Sequence, residues 1–450
     1  MQSSINQNFT PWSLLKFAAP SIAMMILMSL YTIVDGIFVS RFVGSNALSA
    51  LNIVYPVVNI AIAIATMFGT GGNAIISRYL GEGRKKEARK ALSQFAAIIL
   101  IVSVLIVVLT LVFLTPISRF LGATDVILSD CRSYLGTVIL FVPACMLQTL
   151  FQSYLVTAGH PTLGLVLMTG AGALNMIFDY ILIVSLHMGV AGAALATGIG
   201  QCLPALCGLC FFAFSKGDLH FCRFTFRLKE IGSACYNGSS EMVTEFSNAI
   251  ITFLFNLVLM RLAGEHGVAA ITILLYGQFL FNAFYMGFSI GIAPVVGFQY
   301  GAKETEKLHR IYRISFVFVV VSSVVVTIAA VTLSPWIVKV FTSDPQTYAL
   351  ASTGFALFAF NFLFSGVNIT SSGFFTALSN GTVSAIISFC RTFGFTVLSL
   401  LILPQFLKLN GAWIAVPVAE LLTLFVSLFM HRRFFWKHGT HNYFLSDAAQ

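Results

Sequence analysis

Apolar residues along the chain come in long unbroken runs, such as Ala91 to Leu114, separated by short polar stretches. They do not form the stripes of a surface helix. A run of about 20 apolar residues matches the hydrocarbon thickness of a bilayer. Only helices or closed barrels can satisfy their backbone there, and continuous runs exclude the alternation of a barrel strand. Twelve spans are predicted, at 13–39, 47–75, 91–114, 134–157, 162–184, 190–214, 234–260, 268–296, 311–333, 351–377, 382–403 and 411–430. The longest connection, Ser215 to Ser233, is basic and has no room for a core. The first run ends at Asp35 and Gly36 without a small-residue cleavage site, so it is read as a retained helix rather than a signal peptide.

The two halves align at an offset near 220 with almost no gaps. RFVGSNALSA from Arg41 lies over RLAGEHGVAA from Arg261, and LGEGRKKEARK from Leu80 over YGAKETEKLHR from Tyr300. Six spans is an even number, so both halves enter the membrane from the same side. The repeats are therefore parallel, related by an axis along the membrane normal. The expected fold is an all-α membrane protein, twelve transmembrane helices in two pseudo-symmetric six-helix bundles. Its parts are an N-terminal lobe (1–214), a linker (215–233), a C-terminal lobe (234–430) and a tail (431–450). Two such lobes facing a central cleft can rock between inward-open and outward-open states, which is transport machinery.

Composition agrees: 58% of residues are hydrophobic and 9% charged, against about a quarter charged in soluble domains. Eighteen Lys and Arg fall at the termini and even-numbered loops, against six in the odd loops. By the positive-inside rule both termini are expected in the cytoplasm. The net charge of +9 is thus a topology signal, with anionic lipid rather than nucleic acid as its neighbour. The eight cysteines are scattered, imply no disulfide framework, and lack zinc-site spacing. No GK[ST] phosphate loop is present, the histidines are dispersed, and no cofactor or enzyme chemistry is expected.

A charge in hydrocarbon costs several kcal/mol, so each intramembrane one needs a reason. Asp35 and Asp179 lie a few residues before the outer ends of helices 1 and 5, at similar depth. Asn175 sits one turn from Asp179 on the same face, and Thr197 on helix 6 reaches comparable depth. This all-oxygen set suits Na⁺, or a proton shared between carboxyls; the alternative is that each acid only pins helices. The second-half counterparts of the two acids are Phe255 and Ser399, so the pair is one-sided. Pro20 interrupts helix 1 upstream of Asp35, as a hinge or a static kink. Glu241 and Glu245, spaced i, i+4 on helix 7, share a face that reads as a wet cavity wall for a cationic substrate or second proton, or as a solvated entrance. Arg391 and Glu420 are read as a structural ion pair. Phe255, Tyr276, Met286 and Phe288 are candidates for a greasy cleft surface accepting aromatic cations.

The segments YTIVDGIFVSRFVGSNALSAL, GGNAIISRYLGEGRKKEA, TAGHP, NMIFDYILI, GVAGAALATGIG, FTALSNG and GAWIAVPVAE, taken together over nearly the whole chain, resemble the multidrug and toxic compound extrusion (MATE) family in its bacterial DinF/MepA-like branch. The resemblance implies two six-helix lobes in the bacterial inner membrane and export of amphiphilic organic cations by a monomer, against an H⁺ or Na⁺ gradient. It implies a cation site at Asp35, Asn175, Asp179 and Thr197 and a helix 1 kink at Pro20, while some members use a carboxylate on helix 7, where Glu241 and Glu245 stand. A lipid-linked saccharide flippase of the same superfamily is the rival reading. A membrane-embedded enzyme or receptor is the more distant one.

Overall fold

The computed structural model describes residues 7–42, 45–123, 125, 127–342 and 344–437; for 35–42, 45–49, 52 and 435–437 it describes the backbone but not the side chains. Among the described residues all regular structure is helical. Ten helical stretches are long and apolar enough to cross a bilayer. Two of these break at one residue of positive φ, Gly264 (φ 62°, ψ −152°) and Lys408 (φ 49°, ψ −128°), which turns each into two crossings. Twelve crossing segments result.

They are α1 Pro11–Phe42, α2 Ser45–Gly81, α3 Lys85–Val112, α4 Leu128–Thr157, α5 Pro161–Ser185 and α6 Gly189–Phe214. The second half holds α7 (228–263), α8 (265–301), α9 Thr305–Phe341, α10 Pro345–Ala377, α11 (381–407) and α12 (409–437). A short helix, Leu114–Phe120, follows α3. Helix α7 begins at Leu228, inside the stretch expected as linker, and α12 continues through 431–437, expected as tail. The rest of that tail lies outside the described residues. Helix α1 runs through Pro20 as one helix.

The backbone itself repeats at the offset read from sequence. Both α4 and α10 tighten into a 3₁₀ turn in mid-span, at Ile139–Phe141 and Ala359–Asn361. Positive φ recurs at Gly83 and Lys303, and again at Gly159 and Ser379. Both α5 and α11 also carry a π-helical turn, Tyr180–Ser185 and Cys390–Gly394, but these two are out of step with that offset. Single π turns in membrane helices mark places where the regular backbone ladder yields to a local requirement. Here the two turns adjoin or contain the intramembrane residues Asp179 and Arg391.

The segment between the halves is strapped to the first one. Cys222 N donates to Ser93 Oγ at 3.0 Å, and Arg227 N donates to Gln94 Oε1 at 3.2 Å. Lys85 pairs with Asp218 at 2.7 Å. The Phe221 ring packs against Phe212 and Phe151. These contacts lie at the face that carries the termini and the basic loops.

At that same face the halves meet backbone to backbone. A Cβ added to Gly71 of α2 would collide with the Ala234 carbonyl of α7, and one on Gly238 of α7 with the Met67 carbonyl of α2. Gly81 stands likewise against Phe298, and Gly301 against Arg78. On α8, Gly287 and Gly291 admit α1 at Ile22 and Ala18. Without a hydrophobic drive between helices in lipid, small residues that allow close van der Waals approach hold helices together. All these contacts fall in the terminus-proximal parts of their helices.

Replacing Gly71 or Gly238 by Ala should lower stability in detergent by about 1–3 kcal/mol through overpacking. Gly232→Ala, on the same α7 with nothing within 4 Å of the added carbon, should not. Thermal unfolding of the three purified variants checks this; equal midpoints would contradict the packing.

Candidate substrate cavity and ion site

Above the glycine contacts the halves enclose a cavity of about 370 Å³, within the roughly 300–1,000 Å³ common for small-molecule sites. The first half contributes Thr66, Thr70 and Asn73 of α2 and Ser153 of α4, a wall of hydroxyls and an amide. Asn73 Oδ1 accepts from the Thr157 hydroxyl, which orients that wall. The second half contributes every charge on the lining: Glu241 and Glu245 of α7, Arg391 of α11 and Glu420 of α12. Asn248, Thr252 and Phe279, further from the glycine contacts, line the cavity and are exposed.

The four charges play two different parts. Glu420 is 3% exposed, and its Oε1 accepts from Arg391 Nε at 2.8 Å. Asn368 of α10 donates to Glu420 Oε2 at 2.7 Å and to its backbone carbonyl at 2.8 Å. Asn368 is oriented in turn by Ser427, which donates to its Oδ1 at 2.9 Å. Both carboxylate oxygens of Glu420 are therefore engaged, as a buried charge requires. Glu241 and Glu245 differ: neither has a hydrogen bond or ion pair among the described residues, and neither is cut off from the cavity. They are carboxylates with open valence toward a ligand.

Of the residues expected from sequence to hold an ion, Asn175, Asp179 and Thr197 lie elsewhere, off the cavity wall. Asn175 is 4% exposed and donates to Thr197 Oγ1 at a long 3.5 Å; Asp179, one turn on, is fully buried. Three helices converge there. Gly200 lets α6 approach α5, since a Cβ on it would meet the Ala171 carbonyl at 2.8 Å and Asn175 Cβ at 3.2 Å. Gly172 of α5 seats the Tyr31 ring of α1 at 3.3 Å, and Gly164 faces Met24. Since α1 and α5 run the same way, this register carried one turn outward sets position 35 level with 176, between Asn175 and Asp179. The Asp35 side chain itself is outside those described.

Other expected residues scatter. Phe255 and Met286 line the cavity, whereas Tyr276 stacks on Phe341 with centroids 5.6 Å apart and is not on the wall. Phe288 is fully buried against Phe318. The lining is thus less aromatic than the greasy cleft expected from sequence: among the described residues Phe255 and Phe279 are its only rings, beside many hydroxyls and amides. Reading the sequence as charges alone missed Asn368 and Ser427. A polar stripe at 420, 423, 427 and 431 of α12, at helical spacing, was the available signal.

The MatE family model matches residues 20–181 and 242–401, one segment in each half. The multidrug export protein MepA of Staphylococcus haemolyticus is 24% identical over 434 residues, covering 93% of this chain and 92% of the relative. MepA of Staphylococcus aureus strain MSSA476 is 24% identical over 392 residues, covering 84% and 83%. Among solved structures, a MATE protein in complex with MaL6 superposes with a TM-score of 0.92 at 21% identity, over 97% of this chain and 99% of that one. An outward-facing MATE transporter of the MOP superfamily gives 0.91 at 21% identity, over 97% and 98%.

The engaged pair makes a stability prediction. Glu420→Ala leaves Arg391 uncompensated and should lose about 3–5 kcal/mol, while Arg391→Met with Glu420→Met should lose clearly less. Thermal unfolding of both variants in one detergent tests the ordering; a double variant as unstable as the single would contradict it.

Proposed function

Since the chain belongs to the MatE family of membrane transporters, we propose that it is a secondary active exporter of amphiphilic organic cations, exchanging them for H⁺ or Na⁺ by alternating access. The observation that carries this reading is the pair Glu241 and Glu245, two carboxylates with no hydrogen bond or ion pair among the described residues, on the wall of a cavity between the halves. Three carboxylates against one guanidinium line the cavity, so a positive ligand is drawn in and an anionic one repelled. The curated relatives named as multidrug export proteins support the same substrate class.

With the termini and basic loops on the cytoplasmic side of a bacterial inner membrane, the glycine contacts close the cytoplasmic end and the cavity faces outward. The coupling ion is taken by Asp35, Asn175, Asp179 and Thr197, deep in the first half and off the cavity wall. Its arrival neutralises carboxylate charge beside α1, and α1 in turn packs on α8 at Ala18 and Ile22. A change in α1 is thereby transmitted to the second half and to the cavity, with Pro20 as the weak point of the helix. The protein works as a monomer, since the cavity is complete within one chain. A lipid-linked saccharide flippase would need surplus positive charge for its phosphates; among the described residues of the lining, carboxylates outnumber the one arginine.

Proteoliposomes loaded with a fluorescent organic cation test the reading. Dye should leave against its gradient when a pH or Na⁺ gradient is imposed, and the effective gradient identifies the ion. Asp179→Asn and Asp35→Asn should each abolish gradient-driven movement while dye binding to purified protein persists. Full gradient-driven transport by both variants would remove the coupling site. Glu241→Gln with Glu245→Gln should weaken dye binding at least tenfold; unchanged binding would remove the cavity assignment.

A further inference from the structure

Helix α7 packs on both halves. Its outer part, at Ile251, Phe255 and Leu259, lies in the second-half core with Leu274 and Phe355. Its first turns pack on the first half, where Ala234 is buried in the same core as Leu92 and Phe95. In the first turn stands Glu230, 11% exposed, and its carboxylate accepts from three donors. Tyr79 of α2 donates its hydroxyl to Oε1 at 3.1 Å, and Gln94 of α3 donates Nε2 to Oε2 at 2.6 Å. Arg227 donates Nη1 to Oε1 at 3.0 Å, and Gln94 Oε1 in turn accepts from the Arg227 backbone N. Tyr79 and Gln94 are buried, and the Arg84 guanidinium caps the Tyr79 ring. Hydrogen bonds to an ionised acceptor are roughly twice as strong as neutral ones.

The position of this carboxylate gives it leverage. Helices α2 and α7 run antiparallel, and deeper in they touch through backbone at Met67 with Gly238 and at Gly71 with Ala234. Tyr79 lies twelve residues beyond Met67, and Glu230 eight residues before Gly238. At about 1.5 Å per residue the acid therefore stands about 12–18 Å nearer the terminus-bearing face. The cavity lies on the opposite side of the glycine contacts. Halves that rock about the cavity separate furthest at this rim. There the parting must break charge-assisted bonds to two helices of the first half.

The repeated backbone plan does not require this acid. The second-half equivalents of Tyr79 and Gln94 are Gln299 and Ile314, and the first-half equivalent of Glu230 is Thr10. No carboxylate stands among them. Gln299 is buried, and neither its Oε1 nor its Nε2 makes a hydrogen bond among the described residues. Thr10 bonds to Ser13 at the start of its own helix. One rim of the repeat is tied by a charge, and its counterpart is not.

We propose that Glu230, gripped by Tyr79 and Gln94, is a latch that holds the terminus-bearing end shut and sets how readily it opens. The inference goes beyond the export reading and rests on it only for the rocking of the two halves. A fastening that merely secures the linker acts locally. A latch also changes the far end, because halves that part at one end close at the other.

Hydrogen–deuterium exchange of the full-length protein in lipid nanodiscs tests this. In Glu230→Gln, backbone amides of 67–81 and 234–242 should exchange about tenfold faster, the factor that one lost charge-assisted bond gives an opening equilibrium. Amides of 248–256, beside the outer part of the cavity, should exchange more slowly. Tyr79→Phe keeps the ring and removes one bond, so it should move both ends the same way by less. It also serves if Glu230→Gln folds poorly. Lys85→Gln loosens the linker at Asp218 without touching the latch, and should leave the outer amides unchanged. Faster exchange confined to the start of α7, or no change at either end, makes Glu230 a local fastening and overturns the proposal. Slowing of the outer amides by Lys85→Gln assigns the effect to the linker and overturns it as well. Gradient-driven dye efflux by the unaltered protein in the same lipid reads the export claim separately; its absence removes that claim, while the exchange comparison still decides the latch.

Discussion

A charge inside a bilayer must be paired, hydrogen-bonded or wet, because the hydrocarbon supplies neither dipoles nor counterions. The carboxylates on the cavity wall meet this requirement in two ways. Glu420 is held by Arg391 at one carboxylate oxygen and by Asn368 at the other and at its backbone carbonyl, so that both carboxylate oxygens are engaged. Glu241 and Glu245 meet it by facing a cavity. Asp179 is withdrawn into the contact of α5 and α6 beside Asn175. The helices, in turn, are placed so that these solutions are possible.

The two halves are built on one backbone plan and use it differently. The 3₁₀ turns of α4 and α10 occupy matching places, while the π turns of α5 and α11 fall at different depths. Yet the charge associated with the π turn is an acid in the first half and a base in the second. The first half buries its acid away from the cavity, and the second half turns its charges toward it.

Closure at one end depends on backbone atoms more than on side chains. Gly71 and Gly238, and then Gly81 and Gly301, let α2 meet α7 and α8 with no side chain between them. Contacts of this kind are short-ranged and lost together when helices part, so an end held this way is either shut or open. Helix α1 spans both systems, against α5 at Gly164 and Gly172 and against α8 at Gly287 and Gly291. It is the element that packs on both halves at close range.

The sequence by itself determined the class of molecule, the number of crossings and the repeat, because bilayer thickness and backbone satisfaction leave a long apolar run one solution. It also located the intramembrane charges, and helical spacing put Glu241 with Glu245 and Asn175 with Asp179 on common faces. Periodicity within a helix carries no information about which neighbour that face meets. Only the packing of twelve helices decided that Tyr276 stacks on Phe341 while Met286 reaches the cavity, and that Asn368 crosses from α10 to hold Glu420. Those relations join residues far apart in the chain through the close approach of glycine-lined helices, and distance along a sequence does not encode them.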